Sequence, residues 1–405
     1  MTKFLMKAIF FYFLIGSLIL SSCGNPTRKK ESKNEINTNV IPFNVDINKN
    51  LNNVRIIPLS NIGKEIEYIP LETTPESLIR KITQIEFSDS FIFISDFYKL
   101  LQFDREGKFV RQIGAIGRGP AEYIYVMGFC IDKIGKSIYI KDYGNRLVKE
   151  FNFNGQFIRS FNIPFESTQF LKTDSNRFTF VIPNGSTIND SEYRIIITDS
   201  LGVPIFKIRN FNRFYNKPGL VASVIPMYYF KNKIHILESR VDTLNTFENA
   251  KHMPYAVFNL GKAKMESDIK IPLQEPEKGE TTNRIKDKLW IWTLSENNKY
   301  LFLKFNLGIS DSSKYCTFNK QTGEITFLKI NGFKNDLDGG LPFWPKYIYN
   351  DTILIDYADA FNLLRAINRR QHPGEKETYN NLSVKIENLV KNITETSNPI
   401  LIVLN

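Results

Sequence analysis

One repeated passage constrains this chain more than any other feature. Phe91-Ile92-Phe93-Ile94-Ser95-Asp96 is followed by Leu101-Gln102-Phe103-Asp104 and then by Gly107-Lys108-Phe109-Val110. The same order returns in Ser137-Ile138-Tyr139-Ile140-Lys141-Asp142, Val148-Lys149-Glu150-Phe151 and Gly155-Gln156-Phe157-Ile158. Each copy reads as strand, Asp turn, strand, glycine hairpin, strand, with side chains alternating at the two-residue period of a β-strand. Hairpin glycines are expected at Gly107, Gly155, Gly202, Gly261 and Gly323, at intervals of 48, 47, 59 and 62 residues. A period in the forties with several strands per repeat predicts propeller blades. A four-stranded sheet cannot bury both of its faces alone, and radial packing buries each face on a neighbour. The hairpin tip needs a positive φ, which explains the recurring glycine.

Five hairpin glycines give five blades. A sixth is expected from residues 340–357 together with the terminal run Ile400-Leu401-Ile402-Val403-Leu404. Strand-like segments at residues 54–59 and 66–71 precede the first repeat and are expected to complete a blade with those C-terminal strands, closing the ring. The repeat is faint over residues 165–260, which leaves the middle blade boundaries open. The fold class is therefore all-β, a six-bladed propeller over residues 41–405. One stretch departs from it. Leu382, Ile386, Leu389, Val390 and Ile393 fall at helical spacing and predict an amphipathic helix, with a second around residues 358–368. This helical insertion, residues 358–395, is expected to pack on the rim of the ring.

The amino terminus has a different character. Lys3 and Lys7 precede an uncharged apolar run over residues 8–20, too short to span about 30 Å of hydrocarbon comfortably. It reads as a signal peptide. Leu20-Ser21-Ser22-Cys23 resembles the lipobox of bacterial lipoproteins. That resemblance implies cleavage after Ser22 and lipid on Cys23. Residues 24–40 are polar and aperiodic and read as a flexible tether. In the lipoproteins that this leader resembles, an acidic stretch after the Cys often accompanies display on the outer surface; none follows Cys23, so the resemblance implies the periplasmic side of an outer membrane, with the cell surface as the alternative.

The net charge of +11 loses Lys3 and Lys7 with the leader and becomes +9. Lysines and arginines are scattered rather than clustered, and an exported chain does not meet nucleic acid, so a nucleic-acid partner is excluded. The scattered charge reads as a generally basic, solvated surface, with attraction to anionic glycan or lipid headgroups as the alternative. Only Cys130 and Cys316 remain beyond Cys23. Each lies in a strand-like run, and one free buried thiol in each of two sheets is expected.

Further passages resemble the six-bladed β-propeller lipoproteins of Gram-negative bacteria, a family related to NHL-repeat proteins. They are Ile69-Pro70-Leu71-Glu72-Thr73, residues 113–123, residues 334–345, and the ending Asn398-Pro399-Ile400. Residues 138–147 look like an NHL repeat core. The resemblance implies the fold over most of residues 55–405 and little about activity.

Chemistry is sparsely signalled. The histidines, His235, His252 and His372, stand in no two-His ligand spacing, and neither a GxSxG elbow nor a phosphate loop is present. No cofactor and no metal is expected. Asp336-Leu337-Asp338 opens like a calcium loop but lacks the later ligands. Arg118, in the glycine-rich run 117–123, is a candidate anion grip, against a tight connection between blades. Asp96 and Asp142 hold equivalent repeat positions and either cap turns or line a channel mouth. Arg146, within the NHL-like passage, is counted with these candidates. Trp290 and Trp292 share one strand face and could offer a platform for sugar rings, or pack between blades. The expectation is a monomeric envelope lipoprotein whose propeller binds a glycan, a peptide or a protein without catalysis. The alternative is a propeller hydrolase or lyase.

Overall fold

The computed structural model describes residues 41–405 except 143–144, 168, 175, 183–191, 211–225, 238–240, 249–250, 266–276, 309–311 and 372–381. The leader, Cys23, the tether and His372 lie outside the described residues.

Six four-stranded antiparallel units follow one another around a ring. Blade 1 holds Gln84–Phe87, Phe91–Ser95, Leu100–Asp104 and Phe109–Ile113. Blade 2 holds Val126–Asp132, Ser137–Asp142, Leu147–Asn152 and Phe157–Asn162. Blade 3 holds Gln169–Asp174, Arg177–Val181, Tyr193–Asp199 and Pro204–Arg209. Blade 4 runs through Met227–Phe230, Lys233–Leu237, Thr243–Glu248 and Lys251–Phe258. Blade 5 runs through Leu289–Glu296, Tyr300–Leu307, Ser313–Asn319 and Ile325–Leu328.

Blade 6 closes the ring. Tyr347–Tyr349 and Ile353–Ala358 are joined by the C-terminal strand Ile400–Leu404, whose outer partner is the N-terminal strand Ile66–Pro70. Leu401 pairs with Ile69 and Ile402 with Tyr68, so the two ends of the chain are hydrogen-bonded into one sheet.

The period-two pattern is satisfied on both faces. On the strand Phe91–Ser95, Ile92 and Ile94 pack with Ile355, Leu401 and Val403 of blade 6. The intervening Phe93 packs with Ile138 and Phe151 of blade 2. All three are fully buried, and burial of each such side chain stabilises by about 1.5–3 kcal/mol. Comparable clusters fill the junction of blades 4 and 5 and that of blades 5 and 6, while a continuous one joins blades 2, 3 and 4. Cys130 in blade 2 and Cys316 in blade 5 are both free and buried, and burial pushes both thiols up.

The glycine hairpins do more than turn. Gly107 has φ +88°, and a Cβ there would stand 2.4 Å from the Pro70 carbonyl oxygen on the outer strand of blade 6. At Gly202, φ +84°, the corresponding approach is 2.1 Å to the Asn162 carbonyl of blade 2. Each tip is pressed against the outer strand of the preceding blade, so the glycine serves both the turn and the junction.

Two expectations need correction. Gly261 is not a hairpin glycine. The third hairpin of blade 4 joins Thr243–Glu248 to Lys251–Phe258, and Gly261 opens a short helical turn, Gly261–Ala263, beyond the blade. It has a positive φ, and the Asn48 side chain occupies the space a Cβ would need. The segment beginning at Val54 does not complete blade 6 either. Val54–Arg55 adds as a fifth, parallel strand to the outer edge of blade 5, and Phe43–Val45 does the same on blade 4. The chain before residue 66 is therefore a strap laid over the edges of two blades before it enters a third. Phe43 fixes it, with its ring edge-on to Tyr255 at 5.4 Å and to Phe318 at 5.7 Å.

The helical insertion is present as Ala360–Gln371 and Val384–Lys391. Leu363, Ile367, Ile386 and Leu389 bury against Phe333, Phe343, Trp344 and blade 6. The expected helix thus begins at residue 384, with Ser383 Oγ accepting from the Ile386 amide at 3.4 Å as its N-cap. A further helix, Glu277–Ile285, lies between blades 4 and 5 and has no counterpart in the sequence expectations.

Candidate functional site

The first strand of every blade faces the centre. Gln84–Phe87, Val126–Asp132, Gln169–Asp174, Met227–Phe230, Leu289–Glu296 and Tyr347–Tyr349 all contribute to the wall of a central cavity of about 2180 Å³. These strands begin at one face of the ring, here the upper face, and end at the lower.

The upper mouth is aromatic and basic. Trp292, Lys304, Tyr315, Trp344, Lys346, Tyr347 and Tyr357 line it. Trp344 stacks on Phe333, with centroids 6.1 Å apart and planes at 13°, and meets Tyr315 edge-on at 4.9 Å. Asp356 is buried. It accepts from the Trp344 amide at 2.9 Å and the Tyr357 amide at 2.8 Å, and pairs with Lys346 Nζ at 2.6 Å. Burial pushes its carboxyl up and the Lys346 charge opposes that rise. Lys346 also lies over the Tyr357 ring, 4.0 Å from its centroid.

In the cavity wall, burial raises the Glu86 carboxyl to about 7, against the opposing effects of the Gln84 amide and the Lys133 charge. Lower down, the Lys133 ammonium sits 4.4 Å from the Tyr349 ring centroid, and Tyr349 donates to Asp89 Oδ1 at 2.7 Å. Lys172 pairs with Asp132 and accepts a bond from the Tyr229 hydroxyl on its carbonyl. Glu150 accepts from Tyr139 at 2.9 Å and from Arg159 Nε at 2.7 Å.

Between blades 4 and 5, the Glu296 side chain is fully buried. It accepts from the Tyr228 hydroxyl at 2.7 Å, from Lys320 Nζ at 2.8 Å and from Tyr255. Burial pushes Glu296 up and Lys320 down. His235 Nδ1 stands 3.9 Å from Glu296 Oε2. Burial, then the Lys320 charge, lowers this imidazole to about 4, so it is neutral at pH 7.

Of the six expected binding residues, only Trp292 lines the cavity. Trp290 is 4% exposed, covered by Met265 and Ile285, and donates through Nε1 to the Gly308 carbonyl at 2.8 Å. The two indoles meet edge-on at 5.0 Å, and a bulge between Ile291 and Thr293 gives Trp292 its own exposure. Asp96 is a buried turn cap, whereas the buried Asp142 ties the connection before blade 2 to its second strand. Asp96 Oδ1 accepts from the Tyr98 and Lys99 amides at 3.0 and 2.9 Å, and Asp142 Oδ1 from the Ile124 amide at 2.8 Å. Arg146 pairs with Glu166 at 2.8 Å. Arg118 is exposed on the connection from blade 1 to blade 2. The loop around it already holds an anion, because Glu122 Oε2 accepts from the Gly119 amide at 2.7 Å. In the Asp336 loop, Asp336 accepts from Ser60 and Asp338 Oδ1 from Tyr68, Asn335 and Gly340, while the buried Asp338 Oδ2 has no hydrogen-bond partner among the described residues. Among the described residues no three His, Cys, Asp or Glu side chains converge as a metal site, and no helix is long and apolar enough to cross a membrane.

Sequence reasoning missed Glu86, Lys304, Trp344, Lys346 and Glu296 as cavity-wall residues. The available signal was positional. The first strand of each repeat lines a propeller channel, whereas the Asp turns and hairpins that make the repeat visible lie away from it.

Residues 42–405 match the model of a domain of unknown function, DUF4934. The chain belongs to that family. Among solved structures it is similar to a Bacteroides fragilis protein named for its inferred export, with a TM-score of 0.67 and 18% identity over 89% of this chain and 98% of that one. A DUF4221 member from Bacteroides vulgatus gives a TM-score of 0.43 and 14% identity, over 65% and 84% of the two chains. A streptogramin B lyase gives 0.38 and 16%, over 72% and 80%. None of the curated proteins matches the sequence. At 18% identity the likeness to the Bacteroides fragilis protein speaks to fold alone.

Proposed function

We propose that this DUF4934 protein is a cell-envelope lipoprotein, anchored through Cys23, whose propeller binds a saccharide in its central channel without transforming it. The observation that carries this reading is the upper mouth. Trp292, Tyr315, Tyr347 and Tyr357 are part-exposed aromatic groups on one cavity wall, and 2180 Å³ is ample for an oligosaccharide. Aromatic faces accept the C–H faces of pyranose rings, while Lys346, Asp359 and Asn362 supply polar partners at the rim. The leader and lipobox support export, as does the name of the Bacteroides fragilis neighbour. The outer membrane, periplasmic side, is the location this reading favours, and the protein acts as a monomer.

The test is calorimetric titration of the purified protein with an oligosaccharide panel. Binding is expected, and Trp292→Ala is expected to weaken it up to about tenfold, the loss of one aromatic contact of about 0.5–1.5 kcal/mol. No binding across the panel, or unchanged affinity in Trp292→Ala, overturns the reading.

A hydrolase or lyase has one observation in its favour. A channel carboxyl raised to about 7, as Glu86 is, suits a general acid. Cleavage of a bound oligosaccharide that Glu86→Gln abolishes, with binding retained, would replace the non-catalytic reading with this one.

A further inference from the structure

The cations of the upper mouth are unequally partnered. Lys346 has Asp356 at 2.6 Å, the Tyr357 carbonyl at 3.0 Å and the Tyr357 ring. Lys304 has none of these. It lies in the second strand of blade 5, opposite Thr293 on one side and Tyr315 on the other, and its side chain reaches the cavity wall. Its Nζ stands 5.7 Å from the Tyr315 ring centroid, and among the described residues no carboxylate lies within ion-pair distance of it. The residue is only part-exposed. A part-buried ammonium without a counter-charge is unfavourable unless something brings one.

The neighbouring charges do not supply it. Asp356 is already held by two amides and Lys346, and the Asp359 carboxylate at the rim accepts from the Asn362 amide at 3.2 Å. Lys346 adds a second positive charge close enough to act on Lys304, which burial and then that charge make easier to deprotonate. Lys304 is thus left without a protein-derived counter-ion among the described residues, and the groups around it are the aromatic rings of Trp292, Tyr315 and Trp344.

We infer that Lys304 is the anion-recognising residue of the channel and that the saccharide bound there is acidic, carrying a carboxylate or sulfate group. This rests on the reading of the channel as a saccharide site and adds the class of sugar. The aromatic rings would hold the ring faces, and the Lys304 ammonium would donate to the anionic substituent. A charge-assisted bond in a partly desolvated site is stronger than a neutral one.

The experiment titrates the full-length protein with three probes of similar length: a galacturonate oligosaccharide, a sulfated galactan oligosaccharide and a neutral galactan oligosaccharide. One of the acidic probes is expected to bind at least about tenfold more tightly than the neutral one, the ratio set by one charged hydrogen bond. Lys304→Gln is expected to remove that preference while leaving neutral binding and thermal stability in place. Raising the salt from 50 to 300 mM should weaken only the acidic probe. Trp292→Ala should weaken both kinds. Whichever acidic probe is preferred identifies the substituent. Equal or tighter neutral binding, or an acid preference that survives Lys304→Gln, overturns the assignment and leaves the saccharide channel standing. Absence of binding by all three overturns both.

Discussion

Glu86 offers the sharpest test of the channel electrostatics. It stands on the first strand of blade 1, opposite Phe93, with the Gln84 amide 3.3 Å from its Oε1. Burial raises its carboxyl from the ordinary 4.5 to about 7, and neither Gln84 nor Lys133 offsets that fully. A carboxyl with a raised folded-state value favours folding when protonated. Its contribution is therefore fully present below pH 4.5 and is lost as the pH rises through 7. At pH 8.5 the ionised group is worse placed than in the unfolded chain by at most about 3 kcal/mol, taking 1.36 kcal/mol for each tenfold change in proton affinity. Water entering the channel screens the charge, so that figure is a ceiling. Glu86→Gln keeps the shape and removes the charge. Urea unfolding at pH 5 should find variant and wild type about equally stable. At pH 8.5 the variant should be the more stable by about 1–3 kcal/mol, or roughly 1–4 °C in melting temperature for a domain of this size. Asp356 and Glu296 are also raised, but they are present in both proteins and cancel in the difference. A gap between the two proteins that stays constant from pH 5 to 8.5 would refute the reasoning.

Other positions make separate predictions. Gly107→Ala places a Cβ 2.4 Å from a backbone carbonyl at positive φ, whereas at Gly155 the nearest atom is the Arg111 Cδ at 3.2 Å, which can move. Calorimetry should therefore show Gly107→Ala as clearly more destabilising than Gly155→Ala, whose loss should be about 1–2 kcal/mol from the left-handed backbone alone. Glu296→Ala leaves the buried Lys320 without its carboxylate and should destabilise by about 3–5 kcal/mol in urea unfolding, with part of the loss restored by adding Lys320→Met. Cys130 and Cys316, buried and pushed up, should resist a thiol reagent at pH 8 in the native protein and react fully in guanidinium.

The ring was legible because its signals are local. A hairpin glycine with positive φ, an Asp that caps the next turn and alternating apolar residues all lie within one repeat, and Gly107, Gly155, Gly202 and Gly323 carry the positive φ that the hairpins need. Gly261 misled because it carries the same positive φ outside any hairpin, in the short turn that follows blade 4. The strap was not legible. Val54–Arg55 looks like any short edge strand, and its partner Phe327–Leu328 lies over 270 residues away. The channel residues were hidden by the same distance. Trp292, Lys304 and Trp344 come from different strands and a connection, and each looks like core when read on its own strand. Trp290 and Trp292 show the limit best, because a single bulge and the covering Met265 and Ile285 decide which indole reaches the cavity.

The strap and the upper mouth are one construction. The connection from blade 5 to blade 6 supplies Trp344, and that connection is held from outside. The Leu59 amide donates to the Lys334 carbonyl and the Lys334 amide to the Ile57 carbonyl, each at 2.8 Å, and Ser60 bonds Asp336 through both its amide and its hydroxyl. Phe333 then exchanges backbone bonds with Phe343 at 2.8 and 3.0 Å, and its ring stacks on Trp344. From the other side Leu363, Ile367, Ile386 and Leu389 pack on the same aromatic group. Trp344 and, two residues on, Lys346 are thereby fixed before any ligand arrives. An aromatic wall that needs no ordering on binding gives up less conformational entropy, and affinity gained this way depends on the frame as much as on the contacts. Weakening the strap away from the channel, as Ser60→Ala would by leaving Asp336 with one bond fewer, should therefore loosen ligand binding at Trp344 while every lining residue stays unchanged.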